Sequence, residues 1–197
     1  MKKWMHRVLM ALSILILING FFVARQQKLA EKMVRLHVVA ASDQEIDQEI
    51  KLLVRDVVLQ ETGKLLEGET DPRGALSRGL SSIETAANQC LQSLGCRETA
   101  KVTLQKELFP TREYDSFTLP AGTYTALRVT IGTGQGHNWW CVVFPSLCLS
   151  ATSEEFEQAA QCAGMTEQEV KWITDTENSR LSFKSLELLY DLQQLFS

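Results

Sequence analysis

Residues 8–24 read VLMALSILILINGFFVA, seventeen residues without one charge, directly behind Lys2, Lys3 and Arg7. That run constrains the chain more than any other feature. Seventeen apolar residues reach the short end of what spans a bilayer as a helix. A basic stretch followed by an apolar one is the pattern of an export signal. A buried core helix is the dull alternative, but core helices seldom open a chain behind three basic residues. Cleavage after Ala24 would place bulky Phe22 where small residues are preferred, which favours a retained transmembrane anchor over a cut signal peptide. Arg25, Lys28, Lys32 and Arg35 come after the span and nearly balance the positive-inside count, so charge alone does not orient it. The export pattern places residues 25–197 outside the cytoplasm. The expected organisation is residues 1–25 as signal peptide or membrane anchor, 26–33 as linker and 34–197 as one extracytoplasmic domain.

Charge divides at the same point. Residues 1–25 carry four basic side chains and no acid, whereas the rest carry 16 basic and 24 acidic ones. An acidic body argues against nucleic acid as a partner, because phosphate binding needs clustered Lys and Arg. A chain that is 45% apolar is too hydrophobic for disorder. Cys90, Cys96, Cys141, Cys148 and Cys162 form no CxxC pair and the three histidines are scattered, so neither a zinc site nor any cofactor is expected. An odd count leaves at least one thiol unpaired.

The domain reads as strands and helices in blocks. VRLHVVA (34–40) predicts a buried strand. Ser42 and Glu45 have capping-box spacing, and Ile46, Ile50, Leu53, Val54, Val57 and Val58 form an amphipathic stripe behind them. Asp47 and Lys51 stand four apart and predict a surface pair. Residues 63–74 read as a loop, and 75–94 as a second helix ended by Gly95. Residues 100–108 alternate as a half-exposed strand. Residues 124–131 and 139–144 read as strands joined by a Gly-rich hairpin tip, GTGQGHN (132–138). Residues 154–163 and 166–174 predict short helices, and 181–189 is ambiguous between strand and helix. Blocks rather than strict alternation favour an α+β fold, an antiparallel or mixed sheet packed against helices.

Several constellations invite chemistry, and each has a plainer reading. The glycines at 132, 134 and 136 are spaced GxGxG before an aromatic strand, not GxGxxG before a helix, so a flexible turn suits them better than a phosphate cradle. His137 and Cys141 suggest a thiol nucleophile, but four strand residues separate them by about 13 Å. Cys141 is alternatively a small core residue or half of a bridge with Cys148. Asp43 and Asp47 suit a helix start, where acids meet the dipole and free N–H groups, better than they suit a catalytic pair. Trp139 and Trp140 point to opposite faces of one strand. Either one of them is an interface anchor, or both faces of the sheet are covered.

These residues also carry a family resemblance. RLHVVAASD (35–43), Asp47 with Gln48, KLLVRD (51–56), FPTR (109–112), LPAGTY (119–124), ALRVTIG (126–132), GHNWWCVVFP (136–145) and Leu147 with Cys148 resemble stage II sporulation protein R. The likeness covers residues 35–148 and is loose beyond Ser150. Ala41, Asp115 and Ser146 depart from the family's usual Asn, Gly and Pro. The resemblance implies a signalling protein rather than an enzyme. Made in the forespore and exported into the space between the two membranes, it would trigger a membrane-embedded aspartic protease of the mother cell, stage II sporulation protein GA, which processes pro-sigma-E. By position match it makes Arg35, Ser42, Asp43, Asp47, Arg55, Asp56, Asn138, Trp139, Trp140, Cys141 and Cys148 candidates for a scaffold or contact surface. Gly134, Gly136, Asn138, Trp139 and Trp140 are the expected partner-binding residues, and Cys141–Cys148 the candidate disulfide. An exported cell-wall hydrolase and a structural envelope protein are the rival classes.

Overall fold

A helix of 29 residues, α1 (Lys2–Ala30), opens the chain. The computed structural model describes residues 2–146 and 153–195. α1 is long and apolar enough to cross a membrane, and the residues of its apolar run are not buried. The helix does not stop where the apolar run stops. Phe22, Gln26, Leu29 and Met33 recur at helical spacing. Gln26, Leu29, Ala30 and Met33 are buried, with Phe22 and Val23 packed beside them. Residues 26–33 are therefore not the expected linker: their good helix formers extend α1, and their apolar face belongs to the core.

The next strand, β1 (Val34–Val39), is buried at every position. Val34, Leu36 and Val38 face a helical hairpin, α2 (Glu45–Leu66) and α3 (Pro72–Ser93). Leu76, Ile83, Ala87 and Leu91 of α3 and Val54 and Val58 of α2 complete that core. Burying each large aliphatic side chain there contributes about 1.5–3 kcal/mol. α3 starts with Pro72 at its first turn and the Asp71 carboxylate accepting the Gly74 N–H. It ends as expected at Gly95, with φ of 69°, the Gly95 and Cys96 N–H groups donating to Gln92 and Leu91.

α2 departs from its sequence pattern in three ways. It runs on to Leu66, so the loop expected at 63–74 shrinks to residues 67–71. Its buried row is Lys51, Val54, Val58 and Thr62, which leaves Ile46 and Leu53 exposed. The capping box is absent: Gln44 is the N-cap and makes no side-chain cap.

Beyond β1 come β2 (Ala100–Phe109), a small ribbon of β3 (Arg112–Glu113) with β4 (Thr118–Leu119), and β5 (Gly122–Ile131); β6 (Asn138–Phe144) comes last. The main sheet has the order β2-β5-β1-β6. β1 is parallel to β5 and antiparallel to β6, and β2 is antiparallel to β5. The sheet is thus mixed and the fold α+β. It also overturns the expected hairpin. β5 and β6 are not neighbours, because β1 inserts between them, and residues 132–137 cross over the end of β1 instead of turning tightly.

The second sheet face meets the C-terminal helices, α4 (Ser153–Cys162), α5 (Glu167–Thr174) and α6 (Thr176–Leu195), together with the last turns of α1. Phe109, Tyr124, Ala126 and Val142 pack there against Phe156, Trp172, Ile173, Phe183 and Leu186. The ambiguous residues 181–189 lie within α6. α5 has a complete capping box between Thr166 and Glu169. Helices therefore cover both faces of the sheet.

Candidate functional site

The crossing of residues 132–137 over β1 builds the site. The Gly136 N–H donates to the Ala40 carbonyl (3.0 Å), the Gln135 N–H to Ala41 (3.3 Å) and the Thr133 hydroxyl to Ala41 (3.1 Å). A Cβ at Gly136 would collide with the Ser42 carbonyl oxygen, so close approach demands glycine there. Gly134, at φ of 63°, takes a left-handed turn.

The polar residues before and within α2 clamp this crossing. The Asp43 carboxylate accepts the His137 N–H at 2.7 Å and pairs with its Nδ1 at 2.6 Å. The Lys51 ammonium, buried under the loop, donates to the His137 carbonyl (3.1 Å) and to Gln48 Oε1. Burial pushes Lys51 below the usual lysine range, and nearby Arg55 adds to this while Asp43 opposes it. The Ser42 hydroxyl donates to Asp47, and Gln48 Nε2 to the Ser42 carbonyl (2.8 Å). The expected Asp47–Lys51 pair is therefore not made, since each partner is used elsewhere. Nor do Asp43 and Asp47 form a carboxylate pair; each holds a different part of the 42–48 turn and the crossing.

Trp139 and Trp140 do point to opposite faces, and both faces are covered. Trp139 joins the α2–α3 core, with the Arg55 guanidinium 4.4 Å from its ring centroid and Asp56 paired to Arg55 at 2.7 Å. Its indole Nε1 is buried without a hydrogen-bond partner among the described residues. Trp140 stacks on His37, with centroids 3.7 Å apart, meets Phe109 edge-on at 4.8 Å and has Arg112 5.8 Å away. Both indoles remain half-exposed at the rim.

Around His37 lies a polar cluster on the middle of the sheet. His37 Nε2 is 2.8 Å from Asn138 Oδ1 and Nδ1 is 3.0 Å from Glu107 Oε2. The other oxygen of Glu107 pairs with Arg128, which also donates to Thr130 (3.2 Å). Burial works against ionisation of Glu107, but hydrogen bonds and attraction from His37 and Arg128 outweigh it and hold the carboxyl below the usual range.

Deeper on the same face, Arg35 is fully buried. Its Nη2 donates to the Tyr114 hydroxyl (2.9 Å), and its plane lies over Phe109 (4.2 Å) and Tyr124 (5.0 Å). Among the described residues, Nε and Nη1 meet no hydrogen-bond partner. Tyr124 donates to the Pro120 carbonyl (2.7 Å), and burial pushes its phenol up to about 12.

Of the five expected partner-binding residues, Gly134 and Gly136 shape the crossing, while Asn138, Trp139 and Trp140 divide between the two sheet faces. Sequence reasoning missed His37, Glu107 and Arg128. One signal was available: Arg35 and His37, and again Arg128 and Thr130, stand two apart in otherwise apolar strands and so share a face. Cys141 is buried on the opposite face from His37 and is disulfide-bonded, so its sulfur is not a free thiolate. Cys148 lies outside the described residues. Cys90 and Cys96 are free. Among the described residues no group of three His, Cys, Asp or Glu side chains is placed to hold a metal ion.

Comparison with known proteins matches residues 30–154 to the family Stage II sporulation protein R. Stage II sporulation protein R of Bacillus subtilis strain 168 is 35% identical over 121 residues, which is 60% of this chain and 54% of that protein. The match thus spans about half the length of the relative. No solved structure matches. The matched stretch contains β1, α2, the crossing, both tryptophans and the His37 cluster. The chain belongs to the stage II sporulation protein R family.

Proposed function

We propose that this chain is an exported sporulation signal that switches on a protease rather than an enzyme itself. Its target would be the membrane-embedded aspartic protease of the mother cell, stage II sporulation protein GA, and the outcome processing of pro-sigma-E. The observation that carries the reading is the family match over residues 30–154, placed directly behind an apolar helix able to cross a membrane. In this reading the helix delivers the domain across the forespore membrane, or anchors it there, facing the intermembrane space.

An activator acts by binding the active state of its partner better than the inactive one. The surface we assign to that task is the crossing at 132–137 and the rim of β6. There two half-exposed indoles stand beside Arg55 and Arg112, and aromatic and Arg side chains are the residue types that anchor interfaces. Asp43 and Lys51 hold the backbone of this rim in one conformation before any partner arrives, which lowers the ordering cost of binding. The test is co-expression of the protease and pro-sigma-E with and without this chain. Processing that depends on the chain supports the proposal; equal processing in its absence refutes it. N-terminal sequencing of the extracytoplasmic form distinguishes a retained anchor, the expected result, from a cleaved signal.

A further inference from the structure

Four leucines of α6 stand exposed among the described residues: Leu181 (83% exposed), Leu188 (62%), Leu192 (44%) and Leu195 (78%). At 3.6 residues per turn they fall within an arc of about 60° on the helix. This stripe borders the side that meets α1. Ser185, next to it on the wheel, donates to Asn19 of α1 at 2.9 Å. Leu189 and Leu192 also line a cavity of about 480 Å³ shared with Val23 and Gln26 of α1 and Leu108 of β2.

We infer that α6 lies in the membrane interface with this leucine stripe in the lipid. The inference rests on the reading of residues 8–24 as a bilayer span. Asn19 stands five residues before the end of that span, about 7–8 Å along the helix axis at 1.5 Å per residue. An interfacial helix buries its apolar face about 5–10 Å into the boundary between headgroups and acyl chains. The Asn19–Ser185 contact therefore sets the middle of α6 at the depth such a helix takes. The apolar surface of α1 and the leucine stripe then form one continuous lipid-facing surface. Charge adds little: Arg180 and Lys184 are countered by Glu177, Glu187 and Asp191. The seat is apolar and held by the span, so it needs no anionic lipid. α6 begins beyond residue 154, where the family match ends.

The test uses the full chain in phosphatidylcholine vesicles, with and without bromine on the acyl chains near the headgroups. Single tryptophans are added in Leu188→Trp, in Glu187→Trp on the polar side of α6 and in Leu12→Trp within the span. The emission added over the parent chain is read. Leu188→Trp should lose roughly two-fold or more of its added emission in brominated vesicles, as expected about 5–10 Å into the boundary, and Glu187→Trp should not. Quenching at Leu12 without quenching at Leu188 overturns the inference while the span stands. If Leu188 emission is blue-shifted but unquenched, protein covers the stripe, and the inference is overturned in favour of a partner or a second copy. No quenching at Leu12 removes the span itself, and the seat of α6 with it.

Discussion

The Trp140 indole lies nearly parallel to the His37 imidazole, with ring centroids 3.7 Å apart and planes 19° off parallel. His37 comes from the central strand and Trp140 from the edge strand, at paired positions of the ladder. The stack fastens the rim of the proposed contact surface to the middle of the sheet.

Truncating one member should loosen that rim. Trp140→Ala is expected to cost about 2–3 kcal/mol, below the range for a fully buried tryptophan because the ring is half-exposed. Trp140→Phe keeps a ring over His37 and should retain most of that stability. Urea unfolding of both variants checks the pair. In the processing assay the alanine variant should fail to activate; full activation by it, and also by Trp139→Ala, removes residues 139 and 140 from the proposed surface.

Gly136→Ala forces a methyl group against the Ser42 carbonyl. We expect about 1–3 kcal/mol of destabilisation, typical of overpacking where backbone must shift. Hydrogen exchange at the His137 amide should accelerate, since its bond to Asp43 lies in the same turn. An unchanged exchange rate would show that the crossing yields elsewhere.

Asp43→Ala separates stability from shape. Asp43 is exposed, so the melting temperature should move little, yet the 132–137 crossing loses both its amide acceptor and its imidazole partner. Activation should fall while the far-ultraviolet spectrum stays the same. Wild-type activation by this variant would mean that the clamp does not serve the contact.

Acid should selectively weaken the His37 cluster. Glu107 is held below its ordinary value by His37 and Arg128, against the effect of burial. Its contribution is therefore fully present above the ordinary glutamate value and is lost as pH falls through the lowered one. Glu107→Gln should be less stable than the parent at pH 7, and the gap should narrow at pH 3, measured by denaturant unfolding. An equal difference at both pH values would show that the carboxylate charge is not what stabilises the cluster.

How far sequence patterns predict this fold depends on the range of the forces involved. Gly95 ending α3, the short helix from Thr166 and the strands 100–108 and 124–131 are legible because a few neighbouring residues determine them. The order of the sheet is not, because β6 finds its partner in β1 about a hundred residues upstream, and local turn chemistry at 132–138 cannot register a strand inserted from that distance. Ser42 shows the same limit. Its spacing to Glu45 fits a capping box, but its hydroxyl instead donates to Asp47 and accepts the Gln44 N–H. Lys51 reads as a surface charge until the loop closes over it. The buried His37 and the half-buried Arg128 were visible only as alternation within apolar strands, a pattern that marks a shared face but does not say what fills it.

α1 passes from its apolar run into the core without a break, and Leu29, Ala30 and Met33 leave no slack before β1. A domain joined to a bilayer in this way hangs as a spar, not as a buoy on a rope. With the span in place, the domain keeps one orientation relative to the helix and leans only as the helix leans. Trp139 and Trp140 would then face outward at a set distance along the helix axis rather than swinging freely. A flexible insertion between Ala30 and Val34 would lengthen the reach of the domain and scatter its aim.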